Sequence, residues 1–586
     1  PNNRKGFLHM KKKLLPALIV TGLIILVVII MGITALINKY TPTKKTEDLK
    51  EYFNISSDDE VALIVDNEVS DYKAKIIDKK IYVDYKFVHD SLNSRFYWDA
   101  NENVLLYTTA SDIISAAADS NSYSVTKQTN DFGYPIVKAT SDSALIALDY
   151  VKQYSNITFK SYDDPARIVI TSKWDEIDSA TVSKSTQVRV KGGIKSPILK
   201  EVKKDDKITI LDSGDKWDKV ATEDGVIGYI KRKALSESKK TKLTNPDYEE
   251  ETFTHIKKDK DICLAWNQVT SQSANSKVPQ VISSTKGINV MSPTWFYLND
   301  NNGNLADIAS KDYVSYCHSQ GIEVWGLFSN FENTDVDAAY VLTHTSTRTT
   351  LINQIMSAAF NYELDGVNID FENITEAAYG DSYIEFIREL AIKCHNNGIS
   401  LSVDVTVPAS FNKFFNRSDM ANFADYIVIM GYDEHYKGSD AGSVSSIPWV
   451  TEGVESTLKE VPADQIILGM PFYTRIWELT PKEDDDAVTD TEDQSKYTVA
   501  SQVYSMDAAA AQLATNNATA ALDEESGQNY AEWSVSNKLY KVWLEDTTSL
   551  EKRLKLVDDN KLAGAAFWKL GFENSSVWDT VIKYLN

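Results

Sequence analysis

Asp365-Gly-Val-Asn-Ile-Asp-Phe-Glu372 alternates polar and apolar side chains at every second position. On a β-strand, residues two apart share a face, so Asn368, Asp370 and Glu372 project one way while Val367, Ile369 and Phe371 project the other. Such a strand is satisfied inside a parallel barrel, where the apolar row packs against enclosing helices and the polar row faces the interior. Glu372 then stands at the C-terminal end of the strand, where barrel enzymes place their reacting groups. Asp365 falls outside the inward row, and its expected role is structural support.

From about Thr252 to Asn586, apolar runs alternate with helix-length segments, the pattern of βα units on a parallel sheet. Strands are expected to begin at Ile262, Gly287, Glu323, Gly366, Ser400, Tyr426, Ile466 and Ala563, and these fit an α/β fold, a closed (β/α)8 TIM barrel over 252–586. The stretch 478–545 interrupts the pattern. There a helix, followed by a hairpin over Tyr530–Leu544, is expected to form a lobe beside the cleft. Two carboxylates enclosed in a barrel mouth repel, and the one whose pKa rises above the ordinary value of about 4.3 for Glu is a general acid at neutral pH. For any two acids spaced by one residue, a salt-bridged or calcium-binding cluster is the plainer alternative.

A chain of 586 residues exceeds what one core supports, so several domains are expected. Acids outnumber bases 84 to 61, and eight of those bases lie before the first acid, Glu47, so the remainder is more acidic than the net charge of −23 conveys. That body repels nucleic-acid phosphates and no basic stripe interrupts it, so nucleic acid is not expected as a partner. Cys263, Cys317 and Cys394 form no CxxC pair and read as buried free thiols. The seven histidines stand singly, so neither a metal site nor a cofactor is expected. The acidic run Glu483–Asp486 lacks the spacing of a calcium loop and reads as solvated.

No charged side chain occurs from Leu14 to Asn38, and about 20 apolar residues suffice to cross a bilayer. The run exceeds a signal-peptide core of about 7–15 residues and no small-residue cleavage site follows it, which favours an uncleaved anchor. Arg4, Lys5 and Lys11–Lys13 precede it, while Lys39, Lys44 and Lys45 follow. Residues 1–13 are therefore expected as a cytoplasmic basic tail, 14–38 as a single membrane span and the rest as extracellular. Met10-Lys-Lys-Lys reads as a natural beginning, the nine residues before it coming from an upstream start.

Between 55 and 178 one pattern occurs twice. Lys80-Ile-Tyr-Val-Asp leads through a helix-like stretch to Phe96-Tyr-Trp-Asp and Val104-Leu-Leu-Tyr; Ile136-Val-Lys leads through Ala144-Leu-Ile-Ala-Leu to Ile157-Thr-Phe-Lys and Arg167-Ile-Val-Ile. This strand, helix and hairpin unit resembles the repeat at the N-terminus of copper amine oxidases and of clostridial surface proteins, without the His or Cys cluster that copper needs. It implies a spacer or a wall-binding module. Residues 181–237 alternate short strands with turns and end in Gly228-Tyr-Ile-Lys-Arg-Lys-Ala-Leu. They resemble a bacterial SH3 domain, a small all-β barrel that implies attachment to the cell wall, a structural spacer being the alternative. Residues 238–251, rich in Lys, Ser and Glu, read as a linker.

The strand 365–372 resembles the Asp-x-x-Asp-x-Asp-x-Glu signature of glycoside hydrolase family 18, the chitinases and endo-N-acetylglucosaminidases. Met430-Gly-Tyr-Asp, Gly469-Met-Pro-Phe-Tyr-Thr-Arg and Gly564-Ala-Ala-Phe-Trp follow in the family's order. The resemblance implies substrate-assisted hydrolysis, in which the sugar's own acetamido oxygen attacks the anomeric carbon. Glu372 is then the acid and base, Asp370 orients the acetamido group, and Tyr432 donates a hydrogen bond to its carbonyl. Trp568 floors the sugar and Met430 lies beside it. Asp433, Tyr473 and Arg475 match positions near the sugar or serve as structural hydrogen-bonders. Substrates are restricted to chains bearing 2-acetamido groups, chitin or peptidoglycan.

One residue departs from the signature. The family usually carries Asp where this chain has Asn368, which is expected to hydrogen-bond Asp370 but can neither share a proton nor add a charge. Asn368, Met430-Gly-Tyr-Asp-Glu-His and Val542-Trp-Leu-Glu-Asp together resemble the branch that includes spore-cortex-lytic N-acetylglucosaminidases, which implies peptidoglycan rather than chitin. A chitinase and a non-catalytic glycan-binding protein are the competing readings, the second opposed by the presence of Glu372. Trp266, Trp295, Trp325 and Trp477 either stack on sugar rings or belong to the core.

Overall fold

The computed structural model describes residues 4–372, 374–375, 377–482 and 493–585, and it divides into two units, 1–94 with 140–250 and 95–139 with 251–586. The acidic run Glu483–Asp486 lies outside the described residues.

In the first unit, the helix Arg4–Tyr40 exposes its apolar side chains from Leu18 to Ile37, and its segment Pro16–Tyr40 is long and apolar enough to cross a membrane, with mean hydropathy 2.9. Strands Thr158–Tyr162, Arg167–Thr171, Glu60–Val65, Glu68–Ile77, Lys80–Asp84 and Ala144–Ala147 lie side by side in that order. In the second copy of the repeat Val137–Ala139 is a strand, as expected, but the stretch expected as helix begins as the strand Ala144–Ala147 and turns helical at Leu148–Tyr154. Residues 176–242 form a separate antiparallel sheet of seven strands. Its edge strand, Lys239–Lys242, falls within the stretch expected as a linker, and it pairs with Glu176–Thr181. All four of its residues are exposed, so no apolar alternation marks it as a strand.

In the second unit, eight parallel strands close a barrel: β1 (Ile262–Asn267), β2 (Val290–Leu298), β3 (Glu323–Ser329), β4 (Gly366–Asp370), β5 (Ser400–Thr406), β6 (Tyr426–Met430), β7 (Ile466–Pro471) and β8 (Gly564–Trp568). Pairing of β1 with both β2 and β8 completes the ring. Side-chain parity sorts the core into two parts. Leu264, Trp266, Trp325, Leu327, Tyr426 and Val428 fill the barrel, whereas Val367, Ile369 and Phe371 belong to the larger core outside it, Phe371 stacking on Phe386 of the helix Ala377–His395. The second strand starts at Val290 rather than Gly287, because Gly287 sits at φ +80°, outside extended geometry. Gly431 and Gly469 face each other across β6 and β7, and a Cβ at Gly431 would lie 2.8 Å from the Gly469 carbonyl oxygen. The close approach of the two strands at the barrel mouth requires both glycines.

The segment 478–545 belongs to a five-stranded antiparallel sheet that begins at Tyr473, with the helix Met506–Thr515 beside it and the hairpin Gln528–Val535 with Lys538–Leu544 inside it. Arg553 of the following helix forks onto Glu545 at 2.7 and 2.8 Å, with both side chains buried.

The stretch 55–178 is not one region. Residues 95–139 belong with the barrel and carry a five-stranded antiparallel meander from Phe96 to Asp131. Its first hairpin packs on two barrel helices, with Tyr97 Oη 2.8 Å from Ser382 Oγ, Thr108 donating to Glu385, and the Arg348 guanidinium over the Tyr97 ring. The helix Thr345–Tyr362 has no cap from its own N-cap residue, His344. Asp99, 246 residues earlier, accepts from the Thr345 N–H at 2.7 Å instead. Spacing within a repeat carries no trace of which unit a hairpin docks on. Asp99→Ala should destabilise the barrel unit by about 1–2 kcal/mol, the usual value of an N-cap, as measured by urea unfolding. Unchanged stability would remove the meander from the barrel's folding unit.

Candidate active site

The inward row of β4 rises through the barrel in three steps. Asn368 is wholly buried at the centre, Asp370 is 7% exposed above it, and Glu372 stands at the solvent-open mouth. Asn330, just beyond β3, fixes the backbone of Glu372 from both sides: it accepts from the Glu372 N–H at 2.9 Å and donates to the Glu372 carbonyl at 2.9 Å. At the far end of the strand, Asp365 accepts from the Val324 N–H at 2.8 Å and meets His318 Nε2 at 2.8 Å, away from the cleft.

Asn368 does not hydrogen-bond Asp370, contrary to expectation. Its oxygen accepts from Trp266 Nε1 at 2.9 Å and Ser292 Oγ at 3.0 Å, and its amide donates to Ser402 Oγ at 3.0 Å and Asp404 Oδ1 at 2.7 Å. With both N–H donors and both lone pairs of the oxygen engaged by these four residues, the amide has nothing left for Asp370. Asp370 Oδ1 is consequently buried with no hydrogen-bond partner among the described residues.

Above this layer opens a cleft of about 530 Å³, lined by Tyr297, Phe331, Glu332, Asp370, Glu372, Met430, Tyr432, Asp433 and Trp568. The residues expected on β6 and β8 thus reach one cavity. Tyr473 and Arg475 reach it through Asp433, which accepts from the Tyr473 hydroxyl and lies 3.8 Å from the Arg475 guanidinium. Trp266 is buried beneath, edge-on to Tyr432 at 6.4 Å and to Trp568 at 6.0 Å between ring centroids, so it props the cleft walls. Trp295, Trp325 and Trp477 are fully buried and belong to the core, too far inside to stack on a sugar. A larger cavity of about 690 Å³ lies in the first unit, where Asp66, Asp175, Glu223 and Glu237 share the lining with Lys160, Lys173, Lys207 and Lys239.

Electrostatics separates the acids. Burial, then Asp404, then Glu372 and Glu332 push the Asp370 carboxyl well above the ordinary range. Glu372 is raised as well, first by its enclosure in the cleft and then by Asp433 and Glu332. Tyr432 is held protonated by burial and by Asp370 and Asp404, and so remains a hydrogen-bond donor. Two of these groups escaped the sequence reading. Asp404 stands in Ser400-Leu-Ser-Val-Asp, where polar residues alternate as they do in 368–372, so parity would have revealed it. Glu332 lies in a loop, where no periodicity applies.

Carboxyls of raised pKa, converging with a tyrosine and a tryptophan at the C-terminal mouth of a parallel barrel, define an enzyme that works by acid–base chemistry. The family model for glycosyl hydrolases family 18 matches residues 333–573, and the chain carries a domain of that family and is a glycoside hydrolase. It is similar to "Uncharacterized glycosylase YvbX" of Bacillus subtilis, 24% identical over 302 residues covering 48% of this chain and 81% of the relative. It is likewise similar to "Cortical fragment-lytic enzyme" of the same organism, 24% identical over 287 residues covering 47% and 63%. Among solved structures, the spore cortex-lytic enzyme SleL of Bacillus cereus aligns over 56% of this chain and 76% of its own, at 19% identity and a TM-score of 0.49.

Asp433 is the first of the charges acting on Glu372, so Asp433→Asn should let Glu372 ionise at lower pH. A general acid works while protonated, and the alkaline limb of kcat/KM should therefore move to lower pH in this variant. A limb at unchanged pH would show that Asp433 does not set it.

Proposed function

We propose that the chain hydrolyses β-1,4 bonds at N-acetylglucosamine residues of peptidoglycan, by substrate-assisted catalysis with retention, on the outer side of a membrane spanned by Pro16–Tyr40. The observation that carries this reading is the unpartnered, buried Asp370 Oδ1 two residues below Glu372. A buried acceptor without a donor is costly, and the N–H of a 2-acetamido group entering the cleft supplies one.

With the acetamido group held there, its carbonyl oxygen bonds to the anomeric carbon as the glycosidic C–O bond breaks, and the leaving oxygen takes the proton of Glu372. The oxazolinium that forms is positive, and Asp370 beside it stabilises that charge. Tyr432 donates to the acetamido oxygen, and Trp568 provides the apolar floor beneath the ring. Water then attacks the anomeric carbon and gives its proton to Glu372, as the bond from that carbon to the acetamido oxygen breaks and the acetamido group is restored. Two inversions at one carbon restore the starting configuration, and no cofactor is required.

Peptidoglycan is favoured by Asn368 in the signature strand and by similarity to a relative named for cortical fragment lysis. The exposed apolar helix at the N-terminus supports the anchor. The SH3-like segment 181–237 holds the enzyme to the wall, with the repeats before it as a spacer. In the detergent-solubilised full chain, Glu372→Gln should reduce release of reducing ends from purified peptidoglycan by at least about 10²-fold, the usual worth of a general acid. Activity within a few fold of the parent would overturn the assignment, as would tight glycan binding without turnover by the parent. A faster rate on chitin oligomers than on peptidoglycan would make it a chitinase.

A further inference from the structure

Asn368 leaves the inward row of β4 one carboxylate short of the signature it resembles, and β5 restores one. The two strands run in register, Gly366 beside Ser400, Asn368 beside Ser402 and Ile369 beside Val403. The next step sets Asp370 beside Asp404, on strands about 4.8 Å apart and on the same inward face. Both are buried, Asp404 to 4% exposure. Asn368 donates to one oxygen of Asp404 at 2.7 Å, which fixes that carboxyl in the layer of Asp370.

Among the described residues, every other group acting on this pair is acidic or neutral. Glu372 shares the strand, Glu332 approaches from beyond β3, Tyr432 and Asp433 from beyond β6, Tyr473 from beyond β7, and Tyr383 from the helix Ala377–His395. Arg475 lies 3.8 Å from Asp433, and Lys569 at the cleft rim donates to Gln268. Two full negative charges side by side in the barrel interior, with no cation between them, are not sustainable, whereas one shared proton is.

We propose that Asp404 is the proton-sharing partner of Asp370, holding the pair at one net negative charge and orienting the Asp370 oxygen that receives the acetamido group. This positioning role rests on the substrate-assisted reading above. In it the proton stays on Asp404, whose O–H donates to the Asp370 carboxylate. Charge is thereby concentrated on Asp370 when the oxazolinium forms, and no proton enters or leaves the pair.

Asp404→Asn keeps the shape and the contact with Asn368 but cannot hold the proton. Its kcat should fall about tenfold or more with KM little changed. The acidic limb of its pH profile should rise by about one unit, because the amide N–H that replaces the carboxyl O–H is the weaker donor to the Asp370 anion. The exchange Asn368→Asp/Asp404→Asn, which returns a carboxylate to the same face two residues below Asp370, should recover the limb and most of the rate. An unchanged profile in Asp404→Asn overturns the proposal, as does an exchange variant that folds and recovers nothing.

Infrared difference spectra at pH 7 test the pairing without substrate. The parent should show one protonated aspartic carboxyl that is lost in Asp404→Asn and equally in Asp370→Asn, since either carboxyl alone ionises. Survival of that band in Asp370→Asn would make Asp404 an isolated neutral acid and overturn the proposal even should Asp404→Asn not fold. Loss of the band in both variants, in a protein that cleaves no 2-acetamido glycan, would support the shared proton while defeating the proposed function.

Discussion

The interior of this barrel holds acids that no cation among the described residues neutralises. Asp370 and Asp404 are raised by burial and by neighbouring acids, Glu372 by its place in the cleft and by Asp433 and Glu332, and the Arg475 guanidinium lies 3.8 Å from Asp433. Charge removed from water is tolerated only where protons, dipoles or partners compensate it. Much of the surrounding architecture is arranged to that end. Asn368 joins Trp266 of β1, Ser292 of β2, and Ser402 and Asp404 of β5, and Asn330 locks the backbone of Glu372 with a paired amide. One acceptor, Asp370 Oδ1, is left buried without a hydrogen-bond partner among the described residues.

Much of this was legible in the chain itself, because the barrel obeys the period-two rule at every strand. Seven of the eight strands begin within one residue of their expected starts, and the exception, near Gly287, fails where a positive φ interrupts an otherwise strand-like run. The row Asn368, Asp370, Glu372 and the residues Met430, Tyr432, Asp433 and Trp568 were readable because each sits on a strand or just past its end, where parity fixes direction. The direction of Asn368's hydrogen bonds was not readable. Which neighbour a side-chain amide chooses depends on the residues that other strands bring to its layer, and those come from positions 266, 292, 402 and 404. The four tryptophans were ambiguous for a related reason: an aromatic near a strand end is core or platform according to what covers it, which is a property of the whole barrel.

Outside the barrel, elements without a buried face carry no apolar pattern in the sequence. The edge strand Lys239–Lys242 is exposed throughout and carries no apolar signature. The repeat over 55–178 was visible as a pattern of elements, but its two halves make different tertiary contacts. The hairpin of the first copy packs on barrel helices through Tyr97, Asp99 and Thr108, while the hairpin of the second, Thr158–Tyr162 with Arg167–Thr171, joins the sheet of the first unit through Glu60–Val65. A pattern of spacings records local folding; docking is decided by side chains at a few facing positions.

The cap that Asp99 places on the helix Thr345–Tyr362 bears on the order in which the molecule can be assembled. On a ribosome the meander from Phe96 to Asp131 emerges long before the helix it completes, so Tyr97, Thr108 and Asp99 wait without partners while more than two hundred residues are made. Contacts so distant along the chain form late and slowly. The seam between 94 and 95, in the middle of a sequence repeat, is therefore also a boundary in time. A catalytic fragment cut at residue 251 would leave that helix without the cap it was built around.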